Sequence, residues 1–313
     1  MPVRLICASH SPLMLTDIEP TDISAQDEFN AELAVAAREL KAFDPELIVV
    51  FGPDHFNGFF YELMPAFCIG AAATATQEWR LPAGTLNVPK DLAIACVRSV
   101  LDRDIDVALS YDMKADHGIT IPLHKLVGSL DRYEVLPIFV NCAADPRPSF
   151  RRVRMFGDAV GRFLAGTGKR IAVIGSGGLS HDPPTPRIGE VPQPIADRLI
   201  HRHTPTREEY DRRESRVMEV ARELVNGLGP CMPPAREWDQ RFLDRFVAFD
   251  DTSLDSIGDV EIDREAGFGG HEVRSWVAAS AAARALGVNQ AVIRTYRLVP
   301  EWITGMSIVA GRD

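Results

Sequence analysis

A chain of 313 residues, 46% hydrophobic and 25% charged, has the make-up of a folded globular protein with room for one large α/β core or two ordinary ones. Its net charge of −10 argues against sequence-independent nucleic-acid binding and against docking on an anionic membrane, since both need a basic face. No apolar run approaches the ~20 residues that span a bilayer, and the apolar start MPVRLICASHSP is too short for a signal-peptide core.

The five cysteines, without a C-x-x-C pair, read as reduced core thiols, and the expected address is the cytoplasm. From the N-terminus, 3–8 (VRLICA) is a strand candidate, followed at once by ASHSP with His10. Residues 26–43 carry Phe29, Leu33, Ala36, Ala37 and Leu40 near helical spacing, with Asp22 and Ser24 as candidate caps. An apolar run at 47–51 ends in FGPDHF, which holds His55. Pro89 suits the first position of a helix over 89–101, where a missing N–H is not needed. A strand at 107–110 precedes ADHG with His117, and His124 falls in the helical pattern IPLHKLVGSL as a packing residue. Strand 135–140, helix 149–164 and strand 170–176 follow, the last running into GSGGLSH with His181. The stretch from 182 to 206 is too long and proline-rich for an ordinary connection; it is a loop packed over a site or a mobile lid. Helices at 207–227 and 271–286 complete a helical C-terminal third. Strands apolar throughout are strands covered on both faces. The expectation is therefore a single α/β domain over 1–313, a layered sheet with helices on both faces.

Four of the eight histidines, His10, His55, His117 and His181, lie a few residues beyond the carboxyl end of an expected strand. In a mostly parallel sheet those ends share one edge, where active sites collect. Pro12, Pro53, Gly118 and Gly177-Gly178 let the backbone turn sharply there. GSGG could instead cradle a phosphate, but it lacks the final glycine of G-x-G-x-x-G and no lysine follows. His201 and His203 could bind metal as an H-x-H pair, although their polar setting favours a solvated face.

At these residues the sequence resembles the class III extradiol dioxygenases, a family represented by protocatechuate 4,5-dioxygenase. The likeness runs through SHSP, PELIVVFGPDHFNGFFYELMPAFCIG, DHG, GSGGLSH, GGHEVRSWVAA and VPEWITG, nearly the whole chain. It implies an Fe(II) ion held by His10, His55 and Glu272, with His271 the neighbouring alternative to Glu272. It implies His117 and His181 as the catalytic pair. His181 would take a proton from a catechol hydroxyl and His117 would donate to oxygen, roles open to exchange. Two histidines and a carboxylate leave open positions on Fe(II), as oxygen activation requires. The implied partners are a 3-substituted catechol and O2, with a propionate or acrylate tail for which Arg80, Arg187 and Arg274 are candidate cations, and a homo-oligomeric assembly. A zinc-dependent hydrolase and a non-catalytic, partner-binding member of the fold are the alternatives.

Overall fold

Alternation within the apolar runs sets the layers of the protein. The computed structural model describes residues 2–19 and 21–313. In β1 (Val3–Ala8), Val3, Leu5 and Cys7 join one core while Ile6 and Ala8 join the other. In β2 (Leu47–Gly52), Leu47, Val49 and Phe51 face the first core and Ile48 and Val50 the second. Both faces are dry, as the unbroken apolar runs require.

The strands are completed by β3 (Phe67–Gly70), β4 (Ala73–Ala75), β5 (Ala108–Ser110), β6 (Met113–Ala115), β7 (Val135–Val140), β8 (Ile171–Ser176), β9 (Gln290–Val299) and β10 (Thr304–Arg312). The helices are α1 (Ile23–Phe43), α2 (Lys90–Leu101), α3 (His117–Leu126), α4 (Phe150–Ala165), α5 (Gln193–Ile200), α6 (Arg207–Val225), α7 (Arg236–Val247), α8 (Asp251–Asp255), α9 (Asp259–Glu265) and α10 (Val273–Ala285). Eight strands form one sheet in the order β5-β3-β7-β2-β8-β1-β10-β9, and β4 and β6 pair separately. Helices α1, α3 and α6 supply the second core, and α2, α4, α7 and α10 the first.

The layered α/β expectation stands, with helices on both faces. The sheet is mixed rather than mostly parallel. Strands β7, β2, β8 and β1 are parallel, but β10 runs antiparallel to β1 and β9 to β10, while β3 is antiparallel to β7. Because β2, β8 and β1 are adjacent and parallel, their carboxyl ends lie side by side. That edge carries three of the four singled-out histidines.

Asp22 caps α1, its carboxylate accepting from Ser24 N, and Ser149 caps α4. Pro89 is the residue before α2 rather than its first helical position. The proline-rich stretch divides: Pro183–Pro186 line a cavity and the remainder leads into α5. It is thus packed over the site. No helix among the described residues is long and apolar enough to cross a membrane.

Candidate active site

Each strand end delivers one imidazole. His10 follows β1 by two residues, His55 follows β2 by three, and His181 follows β8 by five. His181 is steadied by a bridge to Thr304. His117 arrives differently: it is the first residue of α3, after the short β6, with Asp116 capping that helix through Gly118 N. The signal that found it was the motif ADHG, since 107–110 is an edge strand one turn upstream. Glu272 ends a short 3-10 turn (Phe268–Glu272) that feeds α10, packed against β8.

These five side chains meet. Glu272 Oε1 lies 3.0 Å from His55 Nε2 and 3.2 Å from His181 Nε2, and its Oε2 is 3.9 Å from His10 Nε2. His55 and His117 stack with ring centres 4.0 Å apart, and His10 meets both edge-on at 5.9 and 5.5 Å. The opposite nitrogen of three rings is anchored: His10 Nδ1 at 2.9 Å from Ser176 Oγ, His55 Nδ1 at 2.9 Å from Asp116 Oδ2, and His181 Nδ1 at 2.8 Å from the Leu179 carbonyl. Anchoring Nδ1 aims Nε2 inward and fixes ring orientation, the support that metal-binding histidines need.

Gly177-Gly178 serves this centre and not a phosphate. The φ of Gly177 is +143°, and a Cβ there would lie 2.8 Å from Glu272; one at Gly178 would meet His181 at 2.7 Å. The Gly178 N–H is spent on Glu272 Oε2, at 2.8 Å.

Burial and charge pull against each other throughout. Burial pushes His10 down to about 3 against the pull of Glu272, so its ring is neutral. Burial also opposes the cations of His55 and His181, but Asp116 and Glu272 outweigh it at His55, as Glu272 does at His181, and both are raised. Burial alone would raise Glu272; His181 and His55 instead hold it well below the usual carboxylate range. The neutral ring of His10, the ionised Glu272 and the imidazole and carboxylate chemistry of the set fit a divalent cation.

Two triplets share His10 and His55. Donor atoms of His10, His55 and His117 come within 4.8 Å of one another, while Glu272 reaches His55 and His10 with its two oxygens. His117 Nδ1 is buried, 3.1 Å from Glu78 Oε1 but off the line a hydrogen bond requires. Glu78, Asp116 and His117 also cluster within 4.8 Å. Those carboxylates are already engaged: Asp116 Oδ2 accepts from His55 N and Nδ1, and Glu78 accepts from His117 N and Asn57 Nδ2.

His271 faces away. It is buried between Arg274, 2.6 Å from Nδ1, and Asp263, 3.0 Å from Nε2. His201, His203 and His124 lie outside the cluster and do not line the cavity. The tail candidates are corrected. Arg274 is fully buried and bound to Pro148 O, His271 and Asp259, Arg187 packs over Phe268 near Asp182, and Arg80 is exposed; none lines the cavity. Arg212, Arg213 and Arg216 of α6 do. Sequence reasoning passed over them, and over Asn57, Glu78 and Asp116, because charged residues on a helix or beside a turn carry no signal of the cavity they face.

That cavity holds about 380 Å³, within the usual range for a small-molecule site, with the histidines and Glu272 among its lining residues. Its apolar walls include Phe56, Trp79 and Trp302. A buried imidazole and carboxylate set able to hold a cation, beside an apolar slot, suits a flat aromatic ligand. A family model described as "Catalytic LigB subunit of aromatic ring-opening dioxygenase" matches residues 4–307. The chain is 46% identical over 309 residues to a 2,3-dihydroxyphenylpropionate/2,3-dihydroxicinnamic acid 1,2-dioxygenase of Cupriavidus pinatubonensis, covering 98% of this chain and 97% of that one. It is 43% identical to a relative of the same name from Photorhabdus laumondii (100% and 98% covered), and 45% identical to one from Mycolicibacterium vanbaalenii (98% and 96%).

Proposed function

This chain belongs to the family of catalytic LigB subunits of aromatic ring-opening dioxygenases, and from that premise we propose that residues 1–313 act as one extradiol enzyme that opens 3-(2,3-dihydroxyphenyl)propionate or 2,3-dihydroxycinnamate with O2. The observation that carries the reading is the meeting of His10, His55, His117, His181 and Glu272 at one cavity. Fe(II) is the proposed cofactor, held by His10, His55 and Glu272. When bound, Fe(II) supplies the one-electron chemistry that allows a singlet ring to react with triplet O2. The cytoplasm is the proposed location, where described cysteines with no disulfide partner stay reduced, and a homo-oligomer the proposed assembly.

The residues do the remaining work. Aromatic and aliphatic walls exclude water and clamp the ring in one plane. The main-chain anchor of His181 holds its Nδ1 hydrogen-bonded to Leu179 O, which leaves Nε2 as the proton acceptor for a catechol hydroxyl. Were Glu272 to hold the metal, its charge would act less on the His181 cation, which would leave Nε2 freer to accept the proton. His117, stacked on His55 and held at its main-chain N–H by Glu78, is the proposed donor to oxygen.

A spectrophotometric screen of substituted catechols, after anaerobic reconstitution with Fe(II), tests the reading. The expected result is a conjugated ring-opened product from the catechols with propionate or acrylate at position 3. Absence of turnover with every catechol would overturn it.

A further inference from the structure

Helix α6 has a core-facing stripe of Tyr210, Arg213, Glu214, Val217, Met218 and Ala221. Two charged side chains on such a stripe need partners. Glu214 has them, accepting from Trp79 N at 2.7 Å and from Arg207 at 3.2 Å. Arg213 does not. Its one side-chain bond goes to the neutral Asn57 Oδ1, at 3.3 Å, and no ion pair to it is found among the described residues. A guanidinium has five N–H donors in a planar fork, and this one lines the cavity with most of them uncommitted. The neighbouring Arg212 and Arg216 also reach the cavity but are exposed and satisfied, by Glu208 and Glu219 at 2.7 Å each.

Asn57 fixes where this cation stands. Its Nδ2 donates to Glu78 Oε2 at 3.1 Å and to Asp116 Oδ2 at 3.3 Å, and Asp116 in turn holds His55. Arg213 is thus tied, through buried groups, to the support of the metal-binding set. The lining carboxylates, Glu78 and Glu272, are committed to histidines. Between the two ends run apolar walls, Phe56, Trp79, Val217 and Trp302 among them. A ring seated at the histidines with a short apolar linker ending in an anion meets each of these surfaces with its complement. In a chain of net charge −10, an anionic tail also needs a local cation to offset repulsion.

We propose that Arg213 is the specificity-determining residue for the 3-substituent, binding its terminal carboxylate through the guanidinium fork. The inference rests on the ring-opening reading above. A carboxylate held by a charge-assisted arginine pair is favoured over a neutral group by about 10- to 100-fold. The test compares 3-(2,3-dihydroxyphenyl)propionate with 3-propylcatechol, which lacks only the carboxylate, in the Fe(II)-loaded enzyme and its Arg213→Gln variant. Gln keeps a donor for Asn57 and removes the charge. Expected is a roughly 10- to 100-fold fall in kcat/KM for the carboxylate, carried by KM, with 3-propylcatechol changed less than about 3-fold. Calorimetry of 3-phenylpropionate with the metal-free protein should show the same weakening, independent of turnover. An unchanged preference in R213Q, or a preference lost in Arg216→Gln and retained in R213Q, overturns the assignment. Wild-type enzyme that opens neither catechol defeats the ring-opening reading instead. Should R213Q fail to fold by circular dichroism, Arg213→Lys serves: losing the fork should lower the same preference several-fold, and an unaltered ratio overturns the proposal.

Discussion

Division of labour among the five converging side chains is decided atom by atom. His10→Ala, His55→Ala and Glu272→Ala should each abolish tight metal binding, because removing one of the three proposed ligands would leave too few to hold the ion. His117→Gln and His181→Gln should keep stoichiometric metal and lose ~10^2–10^4 in turnover, the usual worth of a positioned acid or base. Metal analysis by mass spectrometry alongside kcat separates the classes. His117 is the sharpest case, since its ring shares the donor cluster of His10 and His55; loss of metal in H117Q would move it into the ligand set. A second residue-scale prediction concerns Asp239, buried beneath the site. It accepts from Ser180 N at 2.7 Å and from Tyr296 Oη at 2.8 Å, and burial pushes its carboxyl up to about 6. A carboxyl that titrates higher in the folded state than in the unfolded one binds its proton more tightly when folded. Its contribution is complete below about pH 4 and is lost as pH rises through about 6, a change on the order of 3 kcal/mol. Asp239→Asn removes that titration. The melting temperature of the metal-free wild type, relative to D239N, should fall between pH 4 and 7; parallel melting curves would show that Asp239 is not shifted.

At the scale of elements, close packing of helices sets how accurately Glu272 is placed. Helix α4 presents Gly157 and Gly161 to α10, and added Cβ atoms would come within 2.1 Å of Ala278 O and 2.3 Å of Ala282 O. Backbone cannot yield as a flexible side chain does. Gly157→Ala should therefore destabilise the fold by about 1–3 kcal/mol, lowering the melting temperature by roughly 2–5 °C. Because α10 begins directly after Glu272, a proposed ligand, affinity for the proposed Fe(II) should fall with it. A G157A protein with wild-type melting and iron affinity would mean that the helices separate without cost. The same elements show what a single sequence discloses. Strands β1, β2, β7 and β8 were legible because each is an unbroken apolar run, and α1, α4 and α6 because capping and periodicity agree. Strands β4 and β6 are three residues long, below the length at which alternation can be read. Strand β9 carries Arg294 and Arg297 and is half-exposed at the sheet edge, so it lacks the apolar signature. Helix α3 was read only from Ile121 onward, its first turn hidden by an opening histidine and glycine. Of the site, His10, His55 and His181 were legible at strand ends, His117 from ADHG, and Glu272 only through the family resemblance carried by GGHEVRSW, with His271 beside it as the alternative. The outward turn of His271 needed coordinates, since both neighbours are buried and only the contacts of Arg274 and Asp263 tell them apart.

On the scale of the whole molecule, the fold is expected to hold without a bound metal. Both cores extend far beyond the cluster, although Leu13, Trp79, Trp302 and Ile303 of the second also line its cavity. The polar groups of His10, His55, His181 and Glu272 are also bonded to the protein, through Ser176, Asp116, Leu179 O and Gly178 N. A site in which most buried groups are bonded to the protein, His117 Nδ1 excepted, should survive removal of an ion. Chelation under anaerobic conditions should abolish ring opening while leaving the far-ultraviolet circular dichroism and cooperative unfolding intact. Rebinding should raise the melting temperature by mass action, equivalent to about 2.7 kcal/mol at a hundredfold excess over Kd. The two readouts then separate occupancy from chemistry. Zinc offers the same charge to imidazole and carboxylate donors and should restore much of the melting temperature, but it has no redox chemistry to give O2 and should restore no turnover. Fe(II) with a reductant should restore both, and air or peroxide should remove the turnover again. Full activity with zinc alone would refute the iron assignment; unfolding on chelation would make the ion structural and refute the independence of the fold.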